Sequence, residues 1–192
     1  MTYGRHGHSC HVSKKTMATI LSLEHWKETS AFKAALPESP TNYYKRMGAP
    51  PEVLKIVELQ AKSFGTRCEK IIIEIFNIEK KINKKDTQYD GTLNGIKIEI
   101  KCAKRWAGGD GCEWQHLKEG HDFQYLLGCM LDTDGTWKVW CVSKELIMGE
   151  MRTNGIVKSR GTEGLYFEKN KSLAYLTPIH SREDLLRAIS VQ

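Results

Sequence analysis

Two acidic residues and a lysine lie on a predicted β-hairpin, and their types and spacing suit metal-assisted phosphoryl chemistry. Asn94-Gly95 separates two apolar, β-branched runs, a strong hairpin signal in which both turn residues take positive φ angles. Counting outward from this turn pairs Asp90 with Glu99 and places their carboxylates opposite each other. Lys101 shares their face because side chains alternate along a strand.

The opposite face of the hairpin is predicted to be buried. It carries the apolar residues Tyr89, Leu93, Ile96, Ile98, Ile100 and Cys102. A slip of one residue would move this whole set to the solvent side, so burial holds the predicted register.

The two facing carboxylates need a cation between them. At an effective dielectric of about 20 they repel each other by on the order of 3–4 kcal/mol before relaxation. Lys101 supplies one positive charge, and Mg²⁺ would supply two, because it commonly binds one or two carboxylates with water and substrate phosphate. The metal would make hydroxide from bound water, and the lysine would stabilise the charge that develops during displacement. A polar strand face with an ordinary ion pair is the alternative.

These residues resemble the motif of the PD-(D/E)XK nuclease superfamily, whose best-known members are type II restriction endonucleases. Asp90 matches the first acidic position, and Glu99-Ile100-Lys101 matches the (D/E)-X-K element. The resemblance implies that Asp90, Glu99 and the Ile100 carbonyl hold Mg²⁺, for which Mn²⁺ can substitute. Tyr89 replaces a proline that is often absent in the family. The similarity extends over residues 52–151, with sharp motif residues only from 88 to 101.

A second Glu-X-Lys sequence, Glu79-Lys80-Lys81, provides an internal control. It is predicted to end a helical stretch without a strand partner, in a lysine-rich segment that continues to residue 85. A solvated helix end is expected there.

Upstream of the hairpin, helix is predicted over residues 51–81, with Gly65 marking a break or kink. Glu69 is unusual because its neighbours one helical turn or two away are apolar, namely Ile72, Ile73 and Phe76. A buried acid needs a partner. Many superfamily members carry a helix glutamate before the hairpin, so the resemblance implies that Glu69 is a fourth catalytic residue. The alternative is a glutamate at the edge of the core, paired with Arg67 or Lys70.

Basic and polar residues after the motif are expected to contact DNA. Two follow the catalytic strand, two lie in a short helix predicted at residues 114–117, and two lie in the basic segment 152–162. They are Lys104, Arg105, Gln115, His116, Lys158 and Arg160. Exposed basic surface loops are the alternative interpretation.

The remaining pattern predicts an α/β fold. Residues 123–131 are expected to form a central strand, with 137–143 as its antiparallel partner. A short helix is predicted at 146–151, and a capping box at Ser181 begins a closing helix. The predicted fold is a restriction-endonuclease-like core with a mixed central β-sheet flanked by helices.

Length and composition fit a single nuclease domain over residues 17–192, preceded by a flexible extension over residues 1–16. That extension lacks the second, distant ligand pair of a structural zinc module, although it contains His6, His8, Cys10 and His11. The net charge of +6 suits a polyanionic partner.

The cysteines and the absence of long apolar runs bear on location. Six cysteines without disulfide-like spacing indicate reduced thiols and an intracellular protein, cytoplasmic in a prokaryote. No apolar run has membrane length, so no membrane partner is expected.

The expected function is that of a Mg²⁺-dependent endonuclease on double-stranded DNA, in particular a sequence-specific type II restriction endonuclease. The alternatives are a structure-selective repair or Holliday-junction nuclease and a non-catalytic DNA-binding protein on the same scaffold. The intact Asp90, Glu99 and Lys101 argue against the last. Restriction enzymes that cut palindromes usually act as symmetric dimers, so the resemblance implies a homodimer.

Overall fold

Residues 38–81 and 88–190 are described by the computed structural model of the chain. The helices in this part are α1 (Pro40–Arg46), α2 (Pro51–Val57), α3 (Ala61–Ile75), α4 (Lys144–Met148), α5 (Glu150–Thr153), α6 (Lys169–Ser172) and α7 (Arg182–Ser190). The strands are β1 (Glu79–Lys80), β2 (Gly91–Leu93), β3 (Ile96–Lys104), β4 (Glu113–Leu117), β5 (Tyr125–Leu131), β6 (Trp137–Ser143), β7 (Lys158–Ser159), β8 (Leu165–Glu168) and β9 (Thr177–Ile179). The predicted extension 1–16, its boundary and lysines 84 and 85 lie outside the described residues.

The predicted hairpin is confirmed. Asn94 and Gly95 have φ angles of 51° and 80°, as a tight turn between twisted strands requires. β2 and β3 pair in the predicted register, from Leu93 opposite Ile96 to Gly91 opposite Ile98. Local turn chemistry therefore fixes the strand that carries the motif.

The ladder becomes irregular at Asp90, which lies just before β2. The Asp90 N–H donates to the carbonyl of Ile98 at 2.9 Å, and the regular pairing of the two strands ends at Gly91 and Ile98. The predicted pairing of Asp90 with Glu99 is therefore wrong. This shift turns Tyr89 to the other side of the sheet, where it packs beside the second sheet instead of with Ile98 and Ile100. The prediction that Tyr89 shares the apolar face of the hairpin is wrong for this reason.

The central sheet has six strands in the order β1-β2-β3-β5-β6-β9. β3 and β5 are parallel and the other neighbours are antiparallel, so the predicted mixed sheet is confirmed. The predicted strand pair is found at β5 and β6, and all seven residues of β5 are buried. Helices α3 and α7 cover one face through Ile72, Phe76, Leu185 and Ile189.

A smaller sheet of three strands, β4-β8-β7, covers the other face together with α4 and α5. The helix predicted at 114–117 is wrong, because these residues belong to β4, which pairs with β8. A bulge with His116 at φ 61° turns both Trp114 and Leu117 into the core, which imitates helical spacing in the sequence. The crossover from β3 to β5 thus carries a strand where the resemblance implied a helix.

The helix predicted over 51–81 is interrupted elsewhere and ends earlier than expected. The break falls between α2 and α3, at residues 58–60, and Gly65 lies inside α3. Beyond α3, Asn77 takes a φ of 48° and Ile78 enters the core, which turns the chain into β1. Glu79 therefore pairs with Thr92 on β2, and the prediction of a helix end without a strand partner is wrong.

The closing helix α7 is confirmed with its cap. The Ser181 hydroxyl accepts a hydrogen bond from the Asp184 N–H at 3.1 Å. The helix predicted at 146–151 is divided into α4 and α5 at Gly149. The five cysteines of the described part are free thiols, and no helix in that part is long and apolar enough to cross a membrane.

Candidate active site

The candidate site lies along the half of β3 that β2 does not cover. β2 pairs with β3 only as far as Ile98, whereas β5 pairs with it from Ile98 to Lys104. On the uncovered edge, the Asp90 carboxylate takes the place of a strand partner, because its Oδ2 accepts the Ile100 N–H at 2.8 Å. Asp90 is thereby fixed beside the (D/E)-X-K element.

Glu99 is buried on this strand and only half of its carboxylate is paired. The residue is 3% exposed, and its Oε1 lies 2.5 Å from Lys101 Nζ. Its Oε2 is buried and has no hydrogen-bond partner among the described residues. Burial raises the pKa of Glu99 to about 7; Lys101 opposes this rise and the Asp90 charge adds to it. The strand thus presents a desolvated carboxylate oxygen beside a second acid.

Glu69 reaches the same region from α3. It is half-buried and lines a groove together with Ile100 and Lys101. Burial, followed by the Asp90 charge, raises the pKa of Glu69 to about 6, while Lys81, Lys101 and Lys70 act in the opposite direction. The helix acid that the sequence singled out therefore lies within electrostatic reach of both Asp90 and Lys101.

His121 belongs to the same neighbourhood, although nothing in its sequence context indicated this. Its Nδ1 is buried and lacks a hydrogen-bond partner in the described part of the chain. Burial and the charges of Lys101 and Lys118 lower the pKa of His121, and the Asp90 charge opposes them. The loop between β4 and β5 places it there, so only knowledge of the crossover could have identified it.

The groove has a volume of about 870 Å³ and is lined by α3, β3 and β4, by the loop after β3 and by residues at the start of α1. Lys62, Phe64, Thr66 and Glu69 come from α3, the run from Ile100 to Lys104 comes from β3, and Gln115 and His116 come from β4. Four of the six residues predicted to contact DNA line this groove, namely Lys104, Arg105, Gln115 and His116. Arg160 does not line it, but pairs with Glu113, which does.

Lys104 and Arg105 direct their side chains into the protein. Lys104 Nζ donates to the carbonyls of Val57 at 2.6 Å and Leu59 at 3.2 Å, and burial lowers its pKa. These carbonyls are free because α2 ends there. Arg105 pairs with Asp132 at 2.8 Å and donates to the Gly109 carbonyl at 2.8 Å. Both residues shape the groove wall, and their contact with DNA stays a prediction.

The remaining predicted contacts belong to the smaller sheet. His116 Nδ1 lies 3.2 Å from the Glu163 carbonyl oxygen. Arg160 pairs with Glu113 at 2.9 Å, and its guanidinium lies 4.0 Å from the centre of the Tyr166 ring. Lys158 is exposed on β7. The pair with Glu113 ties the basic segment to the groove, because Glu113 lines it.

The control tripeptide contributes one unexpected contact. Lys81, which was predicted to be solvated, is half-buried and donates from Nζ to the Tyr89 carbonyl at 2.9 Å. Glu79 stays exposed, and its Oε2 lies 3.3 Å from the Thr92 hydroxyl. The two acids of the two Glu-X-Lys sequences therefore have opposite environments.

The donor set at the open edge suits a hard divalent cation. No three His, Cys, Asp or Glu side chains within 38–81 and 88–190 lie close enough to form a metal site together. Mg²⁺ does not need three such side chains, since it keeps several waters and commonly binds one or two carboxylates. Asp90, Glu99 and the Ile100 carbonyl provide such a set, and the unpaired Oε2 of Glu99 is the atom that fits it best.

No protein-family model matches this chain, and no curated protein matches it significantly.

Proposed function

We propose that this protein is a Mg²⁺-dependent endonuclease that hydrolyses phosphodiester bonds of double-stranded DNA. The observation that carries the proposal is Glu99, a buried carboxylate with one oxygen on Lys101 and the other without a partner, beside Asp90 at a strand edge. A buried oxygen of this kind is costly unless a cation or a donor completes it.

Asp90, Glu99 and the Ile100 carbonyl would hold the metal, and Mn²⁺ could replace Mg²⁺. When bound, Mg²⁺ lowers the pKa of its water and polarises a phosphoryl oxygen. Lys101 stands next to Glu99 and is 25% exposed, so its ammonium can reach a phosphate in the groove while it remains paired. Its charge would stabilise the transition state, in which negative charge builds up on the phosphoryl oxygens.

Glu69 and His121 would act around this centre as positioning residues. Glu69 can accept hydrogen bonds from Lys101 or from water in the groove, and thereby hold them in line with the phosphate. His121 offers an unpaired Nδ1 that can accept a proton or a hydrogen bond on the Lys101 side of the strand.

The groove and the charge of the chain support DNA as the substrate. Lys62 and Lys101 line it, Gln115 and His116 offer hydrogen-bonding groups, and the chain carries a net charge of +6. We propose sequence-specific cleavage by a homodimer, as in type II restriction endonucleases, on a core made of α3, the β1–β3 unit and β5. The free thiols support an intracellular setting, and in a prokaryote the cytoplasm.

Incubation of supercoiled plasmid with the full-length protein tests this proposal. Mg²⁺ or Mn²⁺ should give discrete linear fragments, excess chelator should stop cleavage, and Asp90→Asn should be inactive while still folded. Cleavage that continues in chelator would exclude the metal mechanism. Cleavage confined to branched DNA would favour the repair or Holliday-junction alternative, and metal-independent binding without any cleavage would favour a non-catalytic protein.

A further inference from the structure

We propose that Trp106 stacks against a base of the bound DNA. This inference rests on the proposed nuclease function and adds a residue that contacts a base directly. It concerns binding, so it can be tested without cleavage.

Trp106 is a large apolar residue exposed at the wall of the groove. It is 41% exposed, and it lines the same groove as Lys101 and Glu69. Tryptophan normally contributes a large buried area to a core, so an exposed indole in this groove is available to a ligand. Every nucleobase offers a π-face to such a ring once it is unstacked from its neighbours in the duplex.

The loop that carries Trp106 is closed on itself. The backbone N–H of Trp106 donates to the Gly111 carbonyl at 2.8 Å. A Cβ at position 111 would come within 2.6 Å of the indole, so only glycine lets the ring lie over this backbone. The ring therefore has a defined position before any ligand arrives.

The start of the same loop is held by ion pairs around the buried carboxylate of Asp132. The backbone N–H of Arg105 donates to the Tyr44 hydroxyl at 2.9 Å, and the Arg105 guanidinium pairs with Asp132. Asp132 is 5% exposed and also pairs with Lys138 at 2.8 Å. A ring held by this support pays little ordering entropy on binding, which favours a role in recognition.

The groove also offers cations for the phosphates of a bound nucleic acid. Lys62 and Lys101 line it together with Trp106.

The test measures binding of a fluorescein-labelled DNA duplex by full-length protein in the Asp90→Asn background, with Ca²⁺ in place of Mg²⁺. The variants are Trp106→Phe, Trp106→Leu and Trp106→Ala. Leu173→Ala serves as the control, because Leu173 is a 51% exposed apolar residue outside the groove. Lys62→Ala reports the electrostatic part of binding.

Trp106→Ala should weaken binding about 5- to 100-fold, the range found for base–aromatic stacking. Trp106→Phe should retain most of the affinity and Trp106→Leu less, whereas Leu173→Ala should bind like the parent. The slope of log Kd against log salt should not change in Trp106→Ala and should fall by about one in Lys62→Ala. A duplex with one unpaired base should bind more tightly than a fully paired duplex only when Trp106 is present, because an unpaired base costs less to unstack.

Equal binding by Trp106→Ala and the parent would overturn the inference while leaving the nuclease proposal intact. Equal losses in Trp106→Phe and Trp106→Ala would also overturn it, since phenylalanine can stack. If the Asp90→Asn protein does not bind DNA and the wild type does not cleave it in the plasmid assay, the proposed function itself fails.

Discussion

The carboxylate of Asp90 accepts the backbone N–H of Ile100 at 2.8 Å, so a side chain occupies the position of a missing strand. Asp90 therefore has a structural role in the ladder besides its proposed metal role. The two roles can be separated because an amide keeps the hydrogen-bond acceptor but loses the charge.

Asp90→Asn should keep the stability of the wild type, whereas Asp90→Ala should lose about 1–3 kcal/mol, since it leaves the N–H of buried Ile100 without a partner. Both variants should lose cleavage. Urea denaturation measures the first effect and plasmid cleavage the second. Equal stability of the two variants would contradict the ladder role.

Glu99→Gln should abolish turnover and keep the fold, because the amide fills the same volume but cannot hold a metal as a carboxylate does. Lys101→Ala should lose most activity, because the positive charge that would stabilise the phosphoryl group in the transition state is removed. Glu79→Gln is the matched control, since Glu79 is exposed on β1 in the second Glu-X-Lys sequence. Cleavage rates of the variants are compared at equal protein concentration. Loss of activity in Glu79→Gln with activity retained in Glu99→Gln would reverse the assignment of the motif.

Stability without metal should depend on pH through Glu99. Its folded pKa of about 7 lies above the ordinary value of 4.5. The stabilising contribution of its proton is therefore complete below pH 4.5 and is lost as the pH rises through about 7. In chelator, the unfolding free energy of the wild type should fall relative to Glu99→Gln by on the order of 3 kcal/mol over this range. Parallel urea midpoints for both proteins across this range would refute the prediction.

Glu69→Gln should reduce cleavage by at least ~10-fold, the lower end for residues that orient a metal site. It should not destabilise the protein, because burial and Asp90 already disfavour the charged form. Glu74→Gln is the control on the same helix, where the side chain is 73% exposed. Full activity in Glu69→Gln would leave a three-residue site.

His121→Ala should lower the cleavage rate by about 10- to 100-fold. It should also change the pH dependence of the rate on the acid side, because an imidazole within electrostatic reach of Lys101 would no longer titrate. His180→Ala should behave like the wild type, since His180 is exposed after β9. Rates measured at several pH values distinguish loss of a proton acceptor from a packing defect, which would lower the rate equally at each pH.

The parts of the fold that follow from local chemistry could be predicted from the sequence. The turn at Asn94-Gly95, the burial of Ile98 and Ile100 and the cap at Ser181 depend on residues close together in the chain. The pairing of Asp90 with Glu99 did not follow from the hairpin, because regular pairing ends at Gly91 and Asp90 reaches the motif by accepting the Ile100 N–H instead.

The errors came from contacts distant in the sequence. The bulge in β4 depends on pairing with β8, and it produced a helical spacing of buried residues at Trp114 and Leu117. Lys104 appeared to be a free cation because its acceptors, the carbonyls of Val57 and Leu59, lie more than forty residues earlier. His121 reaches the site only through the crossover between the two sheets. No local pattern contains this information.

The open edge of β3 has a consequence for the behaviour of the protein in solution. An uncovered strand edge is a template on which strands of other molecules can add and start aggregation. Here that edge carries the charged groups of Asp90 and Lys101, with Glu69 facing it from α3. An incoming strand would have to displace the Asp90 carboxylate and desolvate these charges. The residues proposed to cut DNA therefore also protect the protein against intermolecular β-sheet growth.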